Sequence, residues 1–201
     1  MYEKILDLFF PLLSRWALVR HRGIWGLKAA VAAAPTVAKR ERLRMIYDRL
    51  LARQGSWIGY SAEFKGLPCF PHHLNGIYIS GEARIGRNVV IHHLVSIGSN
   101  RLAGSRKYGA PTIGDNVYIG TGACIIGRVT VGDNCRIGAN AVVYDDMPPN
   151  SVAVQQPTRV IQRDEPLDNR FFTRRGGRRV YYDDGNWVEA GEGEDRDSKR
   201  A

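Results

Sequence analysis

The sequence predicts an all-β solenoid, with α-helices before it and a β-hairpin in the tail that follows. The first observation is a six-residue repeat in the middle of the chain, where every sixth residue is Ile or Val. A period of six fits neither a helix nor an ordinary strand, but three six-residue sides close one triangular turn of about 18 residues. The repeated residues are Ile79, Ile85, Ile91, Ile97, Ile113, Ile119, Ile125, Val131, Ile137 and Val143.

The second observation is the composition of the positions around each repeated residue. Two residues earlier stands a small or apolar residue, such as Val89 or Cys135, and Cys135 is expected to lie inside the coil. The residue that follows is often glycine, and we expect Gly or Asn there to relieve strain at a corner, where positive φ is often needed. These glycines are Gly86, Gly98, Gly114, Gly120, Gly132 and Gly138.

The bulk composition is that of a folded, basic protein. The chain has 201 residues, 44% of them hydrophobic, and a net charge of +9, so one domain with appendages is expected. The charge would suit an anionic partner, but much of it lies before and after the coil. Basic and aromatic residues do not interleave in a recognisable binding motif, so no nucleic acid partner is predicted.

Cysteine usage and the N-terminus bear on the compartment. The three cysteines, Cys69, Cys124 and Cys135, are odd in number and lack metal-ligand spacing, which indicates reduced thiols and a cytoplasmic protein. The first residues include acids and no small-residue cleavage site, unlike a signal peptide. No integral membrane segment is predicted, and the first helix is expected to pack on protein rather than lie on a membrane surface.

Helices are predicted in the N-terminal helical region, residues 1–54. Residues 3–20 form an apolar helix with a bend at Pro11, and residues 37–53 form a second helix. Thr36 is the predicted N-cap of the second helix. Its apolar face consists of Leu43, Ile46, Tyr47, Leu50 and Leu51.

The coil occupies a predicted domain of residues 55–163, irregular near Trp57 and regular from Ile77. Its six-residue phase breaks once, and the polar, Gly-rich segment 99–110 lies at the break. This segment is predicted to leave the coil as an extruded loop. Because a solenoid does not need such a loop for stability, the loop is a candidate for building a site.

The C-terminal side contains short strands and a tail, residues 164–201. Pro148 and Pro149 end the repeat, and the pieces SVAVQ and RVIQ could close the end of the coil. The tail segment RRVYYDDGNWVEA predicts a hairpin with a tight turn at Asp184–Gly185, and the last dozen residues are expected to be disordered. A single coil leaves flat faces with apolar patches, so a symmetric homo-oligomer is expected.

Two segments resemble a known family. Residues 113–161, IGDNVYIGTGACIIGRVTVGDNCRIGANAVVYDDMPPNSVAVQQPTRVI, resemble the C-terminal coil of serine O-acetyltransferases and of polysaccharide-cluster O-acetyltransferases. Residues 70–86, FPHHLNGIYISGEARIG, resemble the His-containing turn that precedes it. These are left-handed β-helix (hexapeptide-repeat) acyltransferases. The resemblance implies a left-handed parallel β-helix, a homotrimer and acetyl-CoA as co-substrate between subunits, with no metal required.

The resemblance also implies that a histidine is the general base for the acceptor hydroxyl. The pairs His72–His73 and His92–His93 stand 20 residues apart, so they are expected to stack on adjacent turns at one corner, beside the base of the loop at Ser99. Alignment from upstream places the catalytic histidine at His72, and counting back from the following glycine places it at His73; His72 is favoured. His73 also falls at an inward position of the repeat. His92 or His93 would shape the acceptor pocket.

Two departures from the family pattern bear on the acceptor. The orienting Asp of the family would fall near Trp57, and the position of its loop histidine holds Ala110, shortly after Tyr108. The departures place free serine in doubt and favour a sugar or glycan hydroxyl, with Tyr108 in the substrate site. Glu63 or Glu82 could orient the base instead.

The same resemblance indicates where the coenzyme would bind. The candidates are Ser99 at the loop base, the small residues Thr121 and Ala139, and Arg159 in the closing segment. Small residues at the corners would let the pantetheine arm lie close to the coil. Arg159 could bind a phosphate of the coenzyme.

Three other functions stay open. A sugar-amine N-acetyltransferase could use the same coil and base. A zinc-dependent carbonic anhydrase has a similar coil with three His ligands. Two of those ligands lie about five residues apart in sequence, and no two of the five histidines here have that spacing. The third alternative is a non-catalytic scaffold, which would not bind coenzyme A.

Overall fold

The structure is a computed structural model that describes residues 2–156, 162, 164–166 and 169–191. The chain divides into two compact units, residues 1–156 and 157–201, which are described separately. No helix among the described residues is long and apolar enough to cross a membrane. The first unit begins with helices α1 (Tyr2–Arg20), α2 (Ile24–Ala32) and α3 (Val37–Ala52).

Helix α3 joins the helical region to the coil. The Thr36 side chain accepts a hydrogen bond from the Lys39 amide at 3.3 Å, which confirms the predicted N-cap. The hydroxyl of the buried Tyr47 donates to the Ile58 carbonyl at 2.9 Å, and burial raises the pKa of Tyr47. Helix α2 was not predicted, because its run of Ala, Val and Leu has no polar face to reveal a helical period.

The coil consists of short strands that follow one another along residues 57–153. They are β1 Trp57–Ile58, β2 Glu63–Phe64, β3 Tyr78–Ile79, β4 Arg84–Ile85, β5 Val90–Ile91, β6 Ser96–Gly98, β7 Thr112–Ile113, β8 Tyr118–Ile119, β9 Cys124–Ile126, β10 Thr130–Val131, β11 Arg136–Ile137, β12 Val142–Val143 and β13 Val152–Ala153.

The strands form three parallel sheets, which are the three faces of a prism. The first face contains β1, β3, β6, β9 and β12, the second contains β2, β4, β7 and β10, and the third contains β5, β8, β11 and β13. Successive turns are in register, so that Ile79 pairs with Ile97 and Ile97 with Ile125. All ten repeated Ile and Val residues are at most 5% exposed. The predicted left-handed parallel β-helix is therefore confirmed, and these stacked side chains are its core.

The glycines of the repeat have a different role from the predicted one. Those that follow the repeated Ile or Val do not have positive φ. Instead they permit close approach between turns, since a Cβ on Gly86 would lie 2.2 Å from the Gly114 carbonyl oxygen. Positive φ falls on asparagines between the second and third faces, here called the asparagine corner. Its members are Asn88, Asn116, Asn134 and Asn150.

The side chains of the asparagine corner form a ladder along the coil. The amide nitrogen of Asn88 donates to Asn116 at 2.7 Å, Asn116 donates to Asn134 at 3.2 Å, and Asn134 donates to Asn150 at 3.1 Å. Asparagine is the residue that tolerates left-handed backbone best after glycine. The corner therefore uses one residue type for both conformation and cross-turn hydrogen bonding.

We expect Asn116→Ala to lower the free energy of unfolding by about 1–2 kcal/mol, measured by urea denaturation. The variant loses both ladder hydrogen bonds, and alanine is disfavoured at positive φ. Asn116→Gly loses the same bonds but tolerates the backbone, so its loss should be smaller. Equal losses in the two variants would show that backbone strain contributes nothing at this corner.

The end of the coil and the second unit agree in part with the sequence. In the piece SVAVQ, strand β13 pairs with β11, as predicted, whereas residues 159–161 of RVIQ lie outside the described residues. The second unit is an antiparallel sheet of β14 (Phe171–Arg175), β15 (Arg178–Asp183) and β16 (Asn186–Glu189). Strands β15 and β16 are the predicted hairpin, and β14 was not predicted. The last dozen residues, which are expected to be disordered, lie mostly outside the described residues.

Candidate functional site

Three histidines meet between the third and first faces, at what is here called the histidine corner: residues 72–75, 92–94, 120–122 and 138–140. The ring centroid of His72 lies 5.3 Å from that of His92 and 4.9 Å from that of His93. One ring nitrogen from each residue lies within 4.8 Å of the others. The two pairs thus occupy adjacent turns, as their spacing predicts, and three of the four rings converge.

Hydrogen bonds hold successive turns of the histidine corner together. The His92 amide donates to the Ile119 carbonyl at 3.1 Å, and the His93 carbonyl accepts from Gly122 at 3.1 Å. Asn75 joins the turns: its side-chain amide donates to the His72 carbonyl at 2.9 Å, and its own carbonyl accepts from the Leu94 amide at 3.0 Å. The imidazoles therefore project from a fixed backbone.

His73 lies outside this cluster. It is exposed and has φ 57°, and the next residue, Leu74, fills the inward position at 7% exposure. The expectation that His73 points inward is therefore wrong. Ile58 pairs with Ile79, 21 residues later, whereas Ile79 pairs with Ile97, 18 residues later. This turn therefore contains three residues more than the regular turn, and His73 lies in the lengthened segment.

The environment of the cluster favours a neutral imidazole at His92. Burial lowers the pKa of His92, and the positive charges that His72 and His93 can carry lower it further. The Nδ1 atom of His93 is buried and has no hydrogen-bond partner among the described residues. The Tyr118 ring lies 5.0 Å from that of His92. Neutral imidazoles have a free nitrogen lone pair, which can accept a proton or bind a metal ion.

Tyr118 was not among the residues singled out from the sequence. It precedes the inward Ile119, and strand β8 pairs Tyr118 with Val90, two residues before His92. The aromatic residue at an outward position, one turn from the second histidine pair, was the signal available. To use this signal, one must know how many residues the extruded loop adds between Ile91 and Ile119, which pair across adjacent turns.

The extruded loop leaves the coil at a different corner. Residues 99–110 lie between the first and second faces, here called the loop corner, and strand β6 separates them from His93. Asn100 and Gly109 close the loop base through amide-to-carbonyl bonds of 2.8 and 3.0 Å. The expectation that Ser99 lies beside the histidine pairs of the same chain is therefore wrong. An intervening face of the prism lies between them.

Two cavities lie at the loop corner. One, of about 420 Å³, is lined in part by Trp57, Tyr78, Ser99 and Arg101. The other, of about 640 Å³, is lined in part by Glu63, Arg84, Ala110 and Arg128. Ser99 and Ala110, two positions singled out from the sequence, thus border open space beside the loop.

The loop-corner side chains are held by ion pairs and ring contacts. Arg101 forms an ion pair with Glu82 and lies 5.5 Å from the ring centroid of Tyr108, which is 51% exposed. Glu63 contacts Arg84 at 3.3 Å. Glu63 and Glu82 are therefore engaged away from the histidine corner, and neither orients an imidazole of the same chain. Tyr108 likewise does not join the histidine cluster.

The coenzyme candidates divide between the two corners. Thr121 and Ala139 lie at the histidine corner, on the two turns that follow His93, and the Asn140 amide donates to the Thr121 carbonyl at 2.8 Å. Thr121 is half-buried and Ala139 is exposed. Ser99 lies at the loop corner, and Arg159 is outside the described residues. A column of small residues therefore continues from the histidines along the coil.

Comparisons with known proteins agree with this architecture. The family described as bacterial transferase hexapeptide (six repeats) matches residues 110–145. The chain is 40% identical over 101 residues to serine acetyltransferase of Mycobacterium tuberculosis, covering 50% of this chain and 43% of the relative. It is 39% identical over 100 residues to serine acetyltransferase of Helicobacter pylori strain 26695, covering 49% and 57%. The alignments thus span about half the length of these curated relatives.

A solved structure extends the likeness beyond the aligned sequence. Soybean serine acetyltransferase complexed with serine superposes with a TM-score of 0.56 and 28% identity, covering 76% of this chain and 58% of that chain. The family model matches residues 110–145, which lie within the coil. The chain therefore contains a hexapeptide-repeat coil of the acyltransferase type that resembles the serine O-acetyltransferases.

Proposed function

We propose that the protein transfers the acetyl group of acetyl-CoA to an acceptor hydroxyl, with His72 as the general base. The observation that carries this proposal is the convergence of three imidazoles on a coil similar to that of serine acetyltransferases. A hydroxyl is a weak nucleophile at neutral pH, and a nearby neutral imidazole can remove its proton as it attacks. His73 is set aside as the base because it lies outside the cluster.

Each residue has a defined part in the proposed reaction. His72 accepts the hydroxyl proton while the acceptor oxygen forms a bond to the thioester carbonyl carbon. Backbone amides of the coil stabilise the resulting oxyanion. When the carbon–sulfur bond breaks, His72 returns the proton to the departing thiolate, so the products are an acetyl ester and coenzyme A. His92 and His93 position the base and contact the acceptor.

We further propose a homotrimer in which the histidine corner of one subunit faces the loop corner of the next. One chain places its imidazoles and its loop on different corners, so a neighbour is needed to bring them together. Aromatic and aliphatic side chains on the coil are unusually exposed, including Trp57 at 44%, Tyr78 at 51% and Leu94 at 57%. A neighbouring subunit would cover them. The coenzyme would then lie between subunits, along Thr121 and Ala139.

For the acceptor, we propose a sugar or glycan hydroxyl. The named relatives are serine acetyltransferases, which supports hydroxyl acetylation in general. The position of the family's loop histidine holds Ala110, and the cavity beside it is wide and flanked by Arg84, Arg128 and Glu63. Such a cavity has room and polar groups for a polyhydroxylated ring.

Calorimetric titration with coenzyme A and acetyl-CoA tests the proposal. We expect micromolar binding to the purified oligomer, followed by thiol release from acetyl-CoA when sugar acceptors are added. Free serine should react at least about 10-fold more slowly than the best sugar, since a site built for other polar groups discriminates strongly. Serine as the best acceptor would overturn the proposed acceptor, and absence of coenzyme binding would overturn the transferase.

A further inference from the structure

We propose that His72, His92 and His93 form a binding site for a borderline-soft divalent cation, with Zn²⁺ as the reference ion. The proposed acetyl transfer uses these rings without a metal, so the site adds a second, mutually exclusive state of the same corner. Metal binding stands on the geometry of the cluster alone. Its effect on catalysis rests on the proposed function.

The distances are those of a site that closes by small side-chain rotations. The three ring nitrogens lie within 4.8 Å of one another. Tetrahedral zinc with nitrogen ligands at about 2.0–2.1 Å requires nitrogen pairs about 3.4 Å apart. The ring nitrogens therefore need to approach by up to about 1.4 Å, whereas the backbone beneath them is already held by the Asn75 hydrogen bonds.

The chemistry of the donor set selects the class of ion. The cluster consists of imidazoles alone. Imidazole suits Zn²⁺, Co²⁺, Ni²⁺ and Cu²⁺, whereas Mg²⁺ and Ca²⁺ require oxygen ligands. His72 is exposed and the other two rings are half-buried, so solvent can supply a water to the fourth position.

The buried nitrogen of His93 is a second, independent observation. Its Nδ1 atom has no hydrogen-bond partner in the part of the chain that the structure describes, and an unsatisfied buried polar atom costs free energy. A cation bound through Nδ1 would supply the partner that this atom lacks.

Metal binding and base catalysis cannot occur together at His72. The lone pair that would accept the hydroxyl proton is the lone pair that would bind the cation. A bound Zn²⁺ ion therefore inhibits the proposed transfer, and chelation restores it. The protein would then respond to the availability of free zinc through its own catalytic group.

The test is titration of the tag-free, chelator-treated full-length protein with Co²⁺ and Zn²⁺. We expect one ion per chain by calorimetry and the intense visible absorption of tetrahedral Co²⁺. His92→Ala should weaken binding by at least about 100-fold, because loss of a ligand exceeds the effect of losing a supporting residue. The control is His73→Asn, which removes the adjacent imidazole and keeps a residue suited to φ 57°; it should bind Co²⁺ as the wild type does.

Three results would overturn the site: weak absorption typical of octahedral Co²⁺, unchanged affinity in His92→Ala, or lost affinity in His73→Asn. Circular dichroism verifies that the variants fold. If His92→Ala fails to fold, His93→Asn is the second variant that removes a ligand. Failure of acetyl transfer without metal would overturn the proposed function while leaving the Co²⁺ result intact. Zinc binding without inhibition would overturn only the regulatory part.

Discussion

His72→Ala should lower kcat by about 10²-fold or more, as expected when a general base is lost. The measurement is thiol release from acetyl-CoA at saturating acceptor, in metal-free buffer. The His72 side chain is exposed, and Asn75 binds the backbone carbonyl of His72 rather than its ring. The circular dichroism spectrum of the variant should therefore match that of the wild type. Coenzyme binding by calorimetry should also persist, since the base is not expected to hold the coenzyme.

The neighbouring histidine is the internal control for this prediction. His73→Asn preserves the left-handed backbone at φ 57° and leaves the three-ring cluster intact. It should retain turnover close to that of the wild type. If His72→Ala is active and His73→Asn is inactive, then the base is His73, and the cluster has another role.

Gly86→Ala should lower the free energy of unfolding by about 2–3 kcal/mol, as overpacking does where the surroundings cannot yield. The added Cβ would lie 2.2 Å from the Gly114 carbonyl oxygen and 2.4 Å from an Asp115 carboxylate oxygen. The nearest atom belongs to backbone that also forms the ladder between turns, because the Gly86 amide donates to the Ile113 carbonyl at 2.9 Å. The turns must therefore separate locally. Urea denaturation at fixed protein concentration measures the loss.

Gly66→Ala is the matched control, at the same corner one turn earlier. Its Cβ would meet Arg87 at 3.6 Å, an ordinary van der Waals distance. Its stability should be unchanged or raised by up to about 1 kcal/mol, through the smaller entropy of the unfolded chain. Comparable losses in Gly66→Ala and Gly86→Ala would mean that contact between turns is not the reason for glycine in the repeat.

The glycines illustrate why a correct pattern led to a wrong cause. A glycine repeated at the corners of a solenoid can be explained by positive φ or by close approach between adjacent turns. The sequence alone does not distinguish these two explanations. The structure assigns close approach to Gly86 and Gly114, and positive φ to Asn88 and Asn116. The distinction depends on the distance between turns, which no single turn encodes.

The sequence by itself determined the coil, its inward residues, the N-cap at Thr36, the extruded loop and the stacking of two histidine pairs. These features follow from local periodicity, because the alternation of inward and outward side chains along each side is set by the strand backbone. Only the tertiary structure decided that Leu74, rather than His73, fills the core, and that loop and imidazoles occupy different corners. The direction of a corner side chain depends on the turn conformation and on contacts with the adjacent turn. The six-residue repeat specifies neither of these.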